Sequence, residues 1–448
     1  AHLWALDVAA RTLDDAGWPR FTDAPRNVGV IVGHARGSMR TADLAFATGI
    51  EGLLAGIEED ATLAGLGVDR LREARDEVVR RVRARYGQRD EDGSVGAMTS
   101  GLAGLIAGAF GLTGRHAVVD AACASTLAAV QLGVNALRQG RLDAALVGGA
   151  SYSQQVSVVM FAQSRALSPD GSFPFDARAS GFVSSDGVGL FLLKRLEDAL
   201  RDGDRIRAVI RGVGAACDGK GRALWSPQHE GQILAMRRAL ADGDVDPGSV
   251  GQVEAHATST ALGDRVEVEA LHAVFGEALR GHPLPIGSVK GNIGHAREAA
   301  GAAGLVKAVR ALEEGVLPPT GNFRRPSPEI PWDEVCVEVL TAPRPWPARA
   351  VRRAGVNAFG IGGLDHHVVL EAAPAPRRRP RRPAERPASS PIDVAVVGLG
   401  VRLPGARAPG ELWQNLRAGL DVSARVPPER WDLNLYYKPG QAAPYRSY

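Results

Sequence analysis

The sequence predicts an α/β fold made of two similar halves. Short apolar runs alternate with helical segments, as in "VGVIVG" at 28–33, "HAVVDAA", and the helical stretch "STLAAVQLGVNALRQG". A second set of alternating segments follows, from "IRAVIRGVGAA" to "RRAGVNAFGIGGLDHHVVLE". Such βαβ repetition favours largely parallel, buried sheets with right-handed crossover connections.

The composition is that of a globular protein. The chain has 448 residues, 45% of them hydrophobic, and its 53 Lys and Arg nearly balance its 50 Asp and Glu. We therefore expect no nucleic acid or membrane surface as the main partner. The sequence has no uninterrupted stretch of about 18 apolar residues, so we predict neither a membrane span nor a signal peptide. The three cysteines form no CxxC pair, which favours a reducing, cytoplasmic compartment over a disulfide framework or zinc cluster.

The N-terminal segments are interpreted from the spacing of apolar and charged residues. Leu3, Leu6 and Leu13 recur at helical spacing before Gly17, a residue type that commonly ends helices. The charged segment from Thr48 to about Asp92 is typical of a solvated helix and loop. The chain does not start with Met, so a fragment is expected.

A change of composition near the C-terminus predicts a domain boundary. Residues 373–391, "APAPRRRPRRPAERPASSP", are rich in Pro and Arg and have the composition of a linker. A basic nucleic-acid tail is the alternative, but the segment has no aromatic residue for base stacking. After it, "DVAVVGLGVRLPGA" starts a new strand and turn, and its glycines do not form the GxGxxG dinucleotide motif.

Cys123 lies in "VVDAACASTLAAVQ", where a predicted strand turns into a helix. A free cysteine among Ala and Val is commonly a small buried hydrophobic residue. At a helix N-terminus, however, the thiol would face unpaired amides, which predicts a lowered pKa and a nucleophilic thiolate. Cys217 and Cys336 have no comparable surroundings and are interpreted as packing residues.

Two histidines strengthen the interpretation of Cys123 as a nucleophile. His256 follows a predicted strand in "VEAHATSTALGD", and Lys290 and His295 lie in the turn "SVKGNIGHAREAAGAAG". The carboxyl ends of strands are where α/β folds place their sites. The glycines and alanines of "REAAGAAG" predict a helix that packs closely against a buried centre.

A glycine-rich turn, "NAFGIGGLDHH", follows Phe359. It predicts a hairpin whose glycines let a backbone amide approach a ligand, next to a bulky ring. His366 and His367, at the start of the outgoing strand, are interpreted as structural.

With these segments in this order, the sequence from residue 1 to about 372 resembles the β-ketoacyl synthase family. "DAACAST", "EAHATST", "SVKGNIGH" and "NAFGIGG" are similar to the family's nucleophile, histidine, lysine–histidine and glycine-loop motifs, and residues 168–200 resemble the stretch after the nucleophile half. The resemblance implies a thiolase-like fold, with two α/β halves layered αβαβα. It also implies an elongating synthase of the acyltransferase class.

The resemblance implies a role for each motif residue. Cys123 would accept an acyl chain from an acyl carrier protein, and the backbone amides of Cys123 and Phe359 would hold the oxyanion. His256 and His295 would stabilise the enolate left when malonyl thioester loses CO2, and Lys290 would order the second histidine. Thr258 and Thr260 would contact the phosphopantetheine arm of the carrier. The resemblance implies no metal or bound cofactor, and a homodimer or a pseudo-dimer with a second synthase-like domain.

The sequence departs from the family pattern in several places. Ala257 and Ser259 replace common glycines, Gly291 replaces a usual serine, and Asp365 replaces a usual asparagine in the glycine loop. Motifs that usually begin the family appear instead in residues 392–448, as "VAVVGLGVRLPGA", "ELWQNL" and "VPPERWDLNLYY". We therefore expect a synthase domain at 1–372 without its usual start, the linker at 373–391, and the truncated start of a second synthase-like domain, an active synthase or a chain-length factor.

Two other functions stay open at this point. A thiolase or hydrolase would also use a cysteine nucleophile, although thiolases need a second catalytic cysteine. The alternative that is not an active enzyme is a catalytically impaired scaffold or dimerisation domain, because the usual first strand and helix do not precede Ala1.

Overall fold

Two mixed β-sheets carry the central part of the chain. The computed structural model describes residues 2–18, 27–35, 39–58, 67–86, 98–219, 226–279, 281–346, 351–374 and 401–418, together with Leu420, Val422, Asn434 and Tyr437. The first sheet has the order β2-β1-β3-β4. Its strands are β1 (Val28–Gly33), β2 (His116–Val119), β3 (Ala144–Ser151) and β4 (Gly187–Lys194).

The second sheet has the order β5-β12-β11-β6-β7-β9. Its strands are β5 (Ala208–Cys217), β6 (Gln252–Glu254), β7 (Leu284–Gly287), β9 (Val337–Val339), β11 (Arg353–Gly360) and β12 (Leu364–Ala372). Two short strands, β8 (Val316–Leu317) and β10 (Arg344–Pro345), pair with each other outside it.

The two sheets repeat one arrangement. In the first, β1 is parallel to β2 and β3, and β3 is antiparallel to β4. In the second, β6 is parallel to β7 and β11, and β11 is antiparallel to β12. The same order and the same strand directions therefore occur twice, which confirms the prediction of two similar α/β halves.

Helices occur throughout the described residues. They are α1 (His2–Asp15), α2 (Met39–Glu58), α3 (Val68–Tyr86), α4 (Gly101–Ala109), α5 (Ser125–Arg138), α6 (Gln155–Gln163), α7 (Leu196–Asp202), α8 (His229–Asp242), α9 (Ala261–Leu279), α10 (Lys290–Ile293), α11 (Ala300–Glu314) and α12 (Pro409–Arg417). In the described chain, no helix is long and apolar enough to cross a membrane.

Alternating strand residues build three hydrophobic layers. In β1, Val30 and Val32 pack outward with α1 and α4, whereas Ile31 packs inward with α5. In β12, Val368 faces the same inner layer, and Val369 packs outward with α8 and α9. Successive strand side chains point to opposite faces, so these alternations produce the expected αβαβα layering.

The inner layer consists of α5 and α11, which pack closely. A methyl group on Gly301 of α11 would lie 3.0 Å from Thr126 Cβ and 3.2 Å from Leu127 Cγ on α5. This contact confirms the prediction that small residues in "REAAGAAG" allow a helix to approach a buried centre.

The chain divides into two compact units, residues 1–39 with 91–384, and residues 40–90 with 385–448. The first unit contains both sheets. In the second, the segment expected to hold a helix and loop forms two helices, α2 and α3, joined by a contact of Arg83 with Glu51 at 3.1 Å. The predicted strand at the start of 392–448 and nearly all of the predicted linker fall outside the described residues, while "ELWQNL" lies in α12.

Replacing Gly149 by Ala should destabilise the protein by about 1–3 kcal/mol. The added methyl group would overlap Thr126 Oγ1 and lie 2.5 Å from the Glu298 carbonyl oxygen, and backbone atoms cannot move aside cheaply. Urea unfolding would measure the loss. Gly108→Ala is the control, because a methyl group there meets no atom within 4 Å and alanine favours helix by up to about 1 kcal/mol. Equal stability of the two variants would contradict this account of the packing.

Candidate active site

A sharp turn between β2 and α5 presents Cys123. Ala122 has a φ of 48°, a left-handed conformation that costs a non-glycine residue about 1–2 kcal/mol. Ser125 stabilises the turn, because its Oγ accepts a hydrogen bond from the Ala121 amide at 2.8 Å and donates to the Ala122 carbonyl at 2.6 Å. The thiol is buried, with 8% of the residue exposed.

The environment of Cys123 differs from the expected one. Burial raises the pKa of the thiol to about 12, and the carboxylate of Glu298 acts in the same direction. The positive charges of Lys290 and Arg297 favour the thiolate but do not outweigh burial. The predicted lowering of the pKa by the helix N-terminus is therefore wrong for the resting protein, because removing a thiolate from water costs more than one helix end returns.

His256 is fixed by a carboxylate that sequence reasoning missed. Glu267, on α9, accepts hydrogen bonds from the backbone amides of His256 and Ala257, both at 2.7 Å. The Asn357 side-chain amide donates to the same carboxylate at 2.8 Å. Glu267 is 1% exposed. The available signal was a pair of acidic residues three apart, Asp264 and Glu267, in a mainly apolar helix.

His295 lies opposite His256. Its amide donates to the Val183 carbonyl at 2.7 Å, and its carbonyl accepts from the Ser185 amide at 3.0 Å. The two imidazole rings meet edge to face with centroids 5.4 Å apart. Burial, together with the charge of Lys290, lowers the pKa of both histidines well below the usual value. Both rings are therefore neutral near pH 7 and can each donate one N–H.

One cavity of about 190 Å³ unites most of the predicted residues. Its walls include the predicted residues Cys123, His256, His295, Phe359, Thr258 and Thr260. The Phe359 ring lies 5.6 Å from the His256 ring, and the hydroxyls of Thr258 and Thr260 are 3.1 Å apart. Cys217 and Cys336 do not line this cavity.

Lys290 lies behind the cavity rather than in its wall. The residue is 4% exposed, and burial lowers the pKa of its ammonium group while the carboxylates of Glu254 and Glu267 raise it. Glu254 also accepts from the Val289 amide at 2.6 Å and pairs with Lys307 at 2.6 Å. Lys290 thus supplies positive charge to the site through space.

The glycine turn after Phe359 brings the hairpin β11–β12 against the nucleophile turn. A methyl group on Gly360 would lie 2.5 Å from the Ala121 carbonyl oxygen, so only glycine fits there. Gly362 and Gly363 have φ values of 100° and 74°. His367 is fully buried with Nδ1 2.5 Å from Asn357 Oδ1, which agrees with its interpretation as structural.

The geometry therefore places a buried thiol beside two neutral imidazoles, with a close-packed glycine turn and two hydroxyls in the same cavity. A thiol can accept an acyl group, and neutral imidazoles can donate hydrogen bonds to a developing negative charge.

Models of one protein family match most of this chain. "Beta-ketoacyl synthase, N-terminal domain" matches residues 1–199 and also 392–448. "Beta-ketoacyl synthase, C-terminal domain" matches residues 207–324. "Ketoacyl-synthetase C-terminal extension" matches residues 326–395.

Curated relatives come from polyketide synthases. The spectinabilin polyketide synthase system protein NorC of Streptomyces orinoci is 46% identical over 289 residues, which are 64% of this chain and 13% of the relative. The pikromycin polyketide synthase component PikAIII of Streptomyces venezuelae is 44% identical over 286 residues, 62% of this chain and 18% of the relative. The chain thus spans less than a fifth of these relatives.

Solved structures with the same architecture are ketosynthases. The ketosynthase from module 6 of the bacillaene synthase from Bacillus subtilis 168 is 30% identical, with a TM-score of 0.68 over 84% of this chain and 59% of that one. The PfaC keto synthase-chain length factor is also 30% identical, with a TM-score of 0.77 over 96% of this chain and 44% of that one. These likenesses confirm the predicted thiolase-like fold.

The alkylation rate of Cys123 by iodoacetamide should rise about tenfold per pH unit from pH 6 to pH 9, because a thiol with a pKa of about 12 stays mostly protonated there. Mass spectrometry of the Cys123 peptide would follow the reaction. The exposed Cys217 serves as an internal comparison in the same digest. A plateau for Cys123 near pH 7 would instead support a thiolate activated by the helix end.

Proposed function

The chain belongs to the β-ketoacyl synthase family of acyltransferases, and we propose that it acts as an elongating synthase that joins an acyl group to a malonyl unit. The observation that carries this proposal is the convergence of Cys123, His256 and His295 on one cavity. Two histidines, rather than a histidine and an asparagine, favour elongation over initiation.

In the first step, Cys123 accepts the acyl group. Sγ attacks the carbonyl of an acyl thioester on a carrier protein, the pantetheine thiol leaves and takes up the proton, and a new thioester forms on the cysteine. The amides of Cys123 and Phe359 stabilise the oxyanion. The support is the close contact of Gly360 with the nucleophile turn, since the end of β11 lies beside Cys123. The raised pKa of the resting thiol makes deprotonation on substrate arrival part of this step.

In the second step, the histidines stabilise negative charge. Malonyl thioester loses CO2, and the electron pair of the broken C–C bond becomes an enolate whose oxygen accepts hydrogen bonds from the N–H groups of His256 and His295. The enolate carbon then attacks the Cys123 thioester, the sulfur leaves, and a β-ketoacyl thioester is released on the carrier. Because their pKa values are low, the imidazoles are neutral and bind the enolate without protonating its carbon. No metal ion or bound cofactor takes part in these steps.

The substrates reach the cavity on the phosphopantetheine arm of an acyl carrier protein. Thr258 and Thr260 line the cavity and their hydroxyls are adjacent, which supports their role as contacts for the arm's amides. Lys290 keeps its buried position through Glu254 and Glu267 and favours the neutral histidines, which supports a positioning role.

The chain forms a dimer in the cytoplasm, either with a second copy of itself or with a second synthase-like domain. The match of the N-terminal family model to residues 392–448 in addition to 1–199 supports a second domain that begins after the linker at 373–391. The similarity to a ketosynthase joined to a chain-length factor over 96% of this chain supports the same organisation.

Acyl transfer to the protein should depend on Cys123. Incubation with hexanoyl-pantetheine thioester should add one hexanoyl group, and Cys123→Ala should remove that addition because no other thiol lines the cavity. Intact mass measures the adduct. Cys217→Ala, which leaves the cavity unchanged, is the matched control and should label normally. Equal labelling of Cys123→Ala would refute the nucleophile, and a folded protein without any labelling would favour the scaffold function.

Substitution of the two histidines should distinguish acyl transfer to Cys123 from decarboxylation of the malonyl thioester. His256→Ala and His295→Ala should each slow decarboxylation of malonyl-pantetheine by about 10²–10³, the usual effect of losing one oxyanion donor, while Cys123 still accepts an acyl group. Release of CO2 and the Cys123 adduct are measured on the same sample. His366→Ala, outside the cavity, is the control for the loss of a buried imidazole. If the histidine variants lost acylation of Cys123 together with decarboxylation, the assignment of the histidines to the decarboxylation step would be contradicted.

A further inference from the structure

One wall of the cavity that holds Cys123 is polar. Asp218, just after β5, Gln232, in the first turns of α8, and Asp365, in β12, all line it. Gln232 and Asp365 are 2% and 3% exposed. Much of the remaining wall is apolar, with the side chains of Phe161, Phe182, Phe359 and Ile361. The polar wall takes no part in the proposed chemistry.

Each of these three residues has a buried acceptor atom without a hydrogen-bond partner among the described residues. The atoms are Asp218 Oδ1, Gln232 Oε1 and Asp365 Oδ2. The two carboxyl groups share a hydrogen bond with each other, and Asp218 also accepts from the Gln228 amide. A buried polar atom left unpaired costs about 1–3 kcal/mol. One proton shared between the two carboxyl groups can pair their oxygens with each other, but Gln232 Oε1 still lacks a donor. The wall therefore offers more acceptors than donors, which favours a ligand that donates hydrogen bonds.

The acceptors belong to one place in the fold. A methyl group on Gly231 would overlap both Asp218 Oδ1 and Asp365 Oδ2, so both oxygens converge on the first turn of α8. Gln232 is the next residue of that turn. The glycine leaves room for the two carboxyl groups, and the glutamine side chain completes the set from the same helix.

A single hairpin joins this wall to the reacting thiol. Phe359 pairs directly with Asp365 across β11 and β12, and residues opposite each other in an antiparallel pair share one face of the sheet. The Phe359 ring contacts His256, and Gly360 packs on the Cys123 turn. The carboxyl pair and the reacting thiol consequently line one and the same cavity.

The charge state of the pair favours a neutral ligand. Burial, with the neighbouring Asp218, raises the pKa of Asp365 to about 8, so the pair retains a proton near pH 7. An ammonium group would lose its hydration against phenylalanine side chains, which is costly. A hydroxyl group loses far less and can donate to Gln232 Oε1 or to a free lone pair of the carboxyl pair.

We propose that Asp218, Gln232 and Asp365 form a subsite that selects acyl chains with a hydroxyl group near the thioester, an inference that rests on the proposed acyl transfer to Cys123. The hydroxyl proton fills one of the unpaired acceptors in the acyl-bound state. A saturated chain of equal length brings no donor to this wall.

Competition between two acyl donors tests the subsite. The full chain is incubated with an equimolar mixture of 3-hydroxyhexanoyl- and hexanoyl-pantetheine, and the two Cys123 adducts are counted by mass. The wild-type protein should favour the hydroxylated adduct by roughly three- to tenfold, the worth of one net hydrogen bond. Asp365→Leu should abolish that preference while it still forms adducts.

Two further variants keep the test decisive. Gln232→Leu should also reduce the preference for the hydroxylated adduct. If Asp365→Leu does not fold, Gln232→Leu alone tests the subsite. Glu230→Gln, an exposed carboxylate in the same helical turn, should retain the wild-type preference. Equal adducts in the wild type, or an unchanged preference in both leucine variants, would overturn the subsite and leave the carboxyl pair as a cap for α8. Absence of both adducts in the wild type would refute acyl transfer itself.

Discussion

The approach of α5 to α11 between the two sheets is the constraint on which the site depends. A methyl group at Gly301 would lie 3.0 Å from Thr126 Cβ and 3.2 Å from Leu127 Cγ, so even alanine there would require a neighbour to shift. Because both helices begin at the same edge of the layered core, the turns that precede them carry Cys123 and His295 to one place. Thr126 reinforces the alignment, since its hydroxyl donates to the Glu298 carbonyl at 2.6 Å. The packing of small side chains thus determines where Cys123 and His295 lie.

A network of buried charges complements that packing. Lys290, Glu254 and Glu267 are each less than 5% exposed, and burial of any one alone would cost several kcal/mol. Together they offset one another, and the carboxylates of Glu254 and Glu267 also accept hydrogen bonds from backbone amides of the loops that carry the histidines. The two buried carboxylates thus fix the positions of these loops. The positive charge of Lys290, added to burial, keeps both imidazoles neutral.

Sequence reasoning located the residues that lie at strand ends, because that position is visible locally. Cys123, His256 and His295 each follow or precede an apolar run, and the structure brings all three to one cavity. Glu267 was missed because the sequence does not show that α9 folds back so that this side chain meets the amides of His256 and Ala257. The pKa of Cys123 was predicted in the wrong direction, since a helix end is visible in sequence and the depth of burial is not. The meeting of Asp218 with Asp365 likewise depends on the pairing of β5 with β12, which no local pattern encodes.

The raised pKa of Cys123 also has a consequence for the survival of the protein in an aerobic cell. Peroxide oxidises thiolates far faster than thiols, and the higher oxidation states of cysteine are irreversible. A buried thiol whose pKa is raised in this way is a poor target for such damage. Burial of the thiol therefore protects it from oxidation, and the proposed acyl transfer requires its deprotonation when a substrate binds.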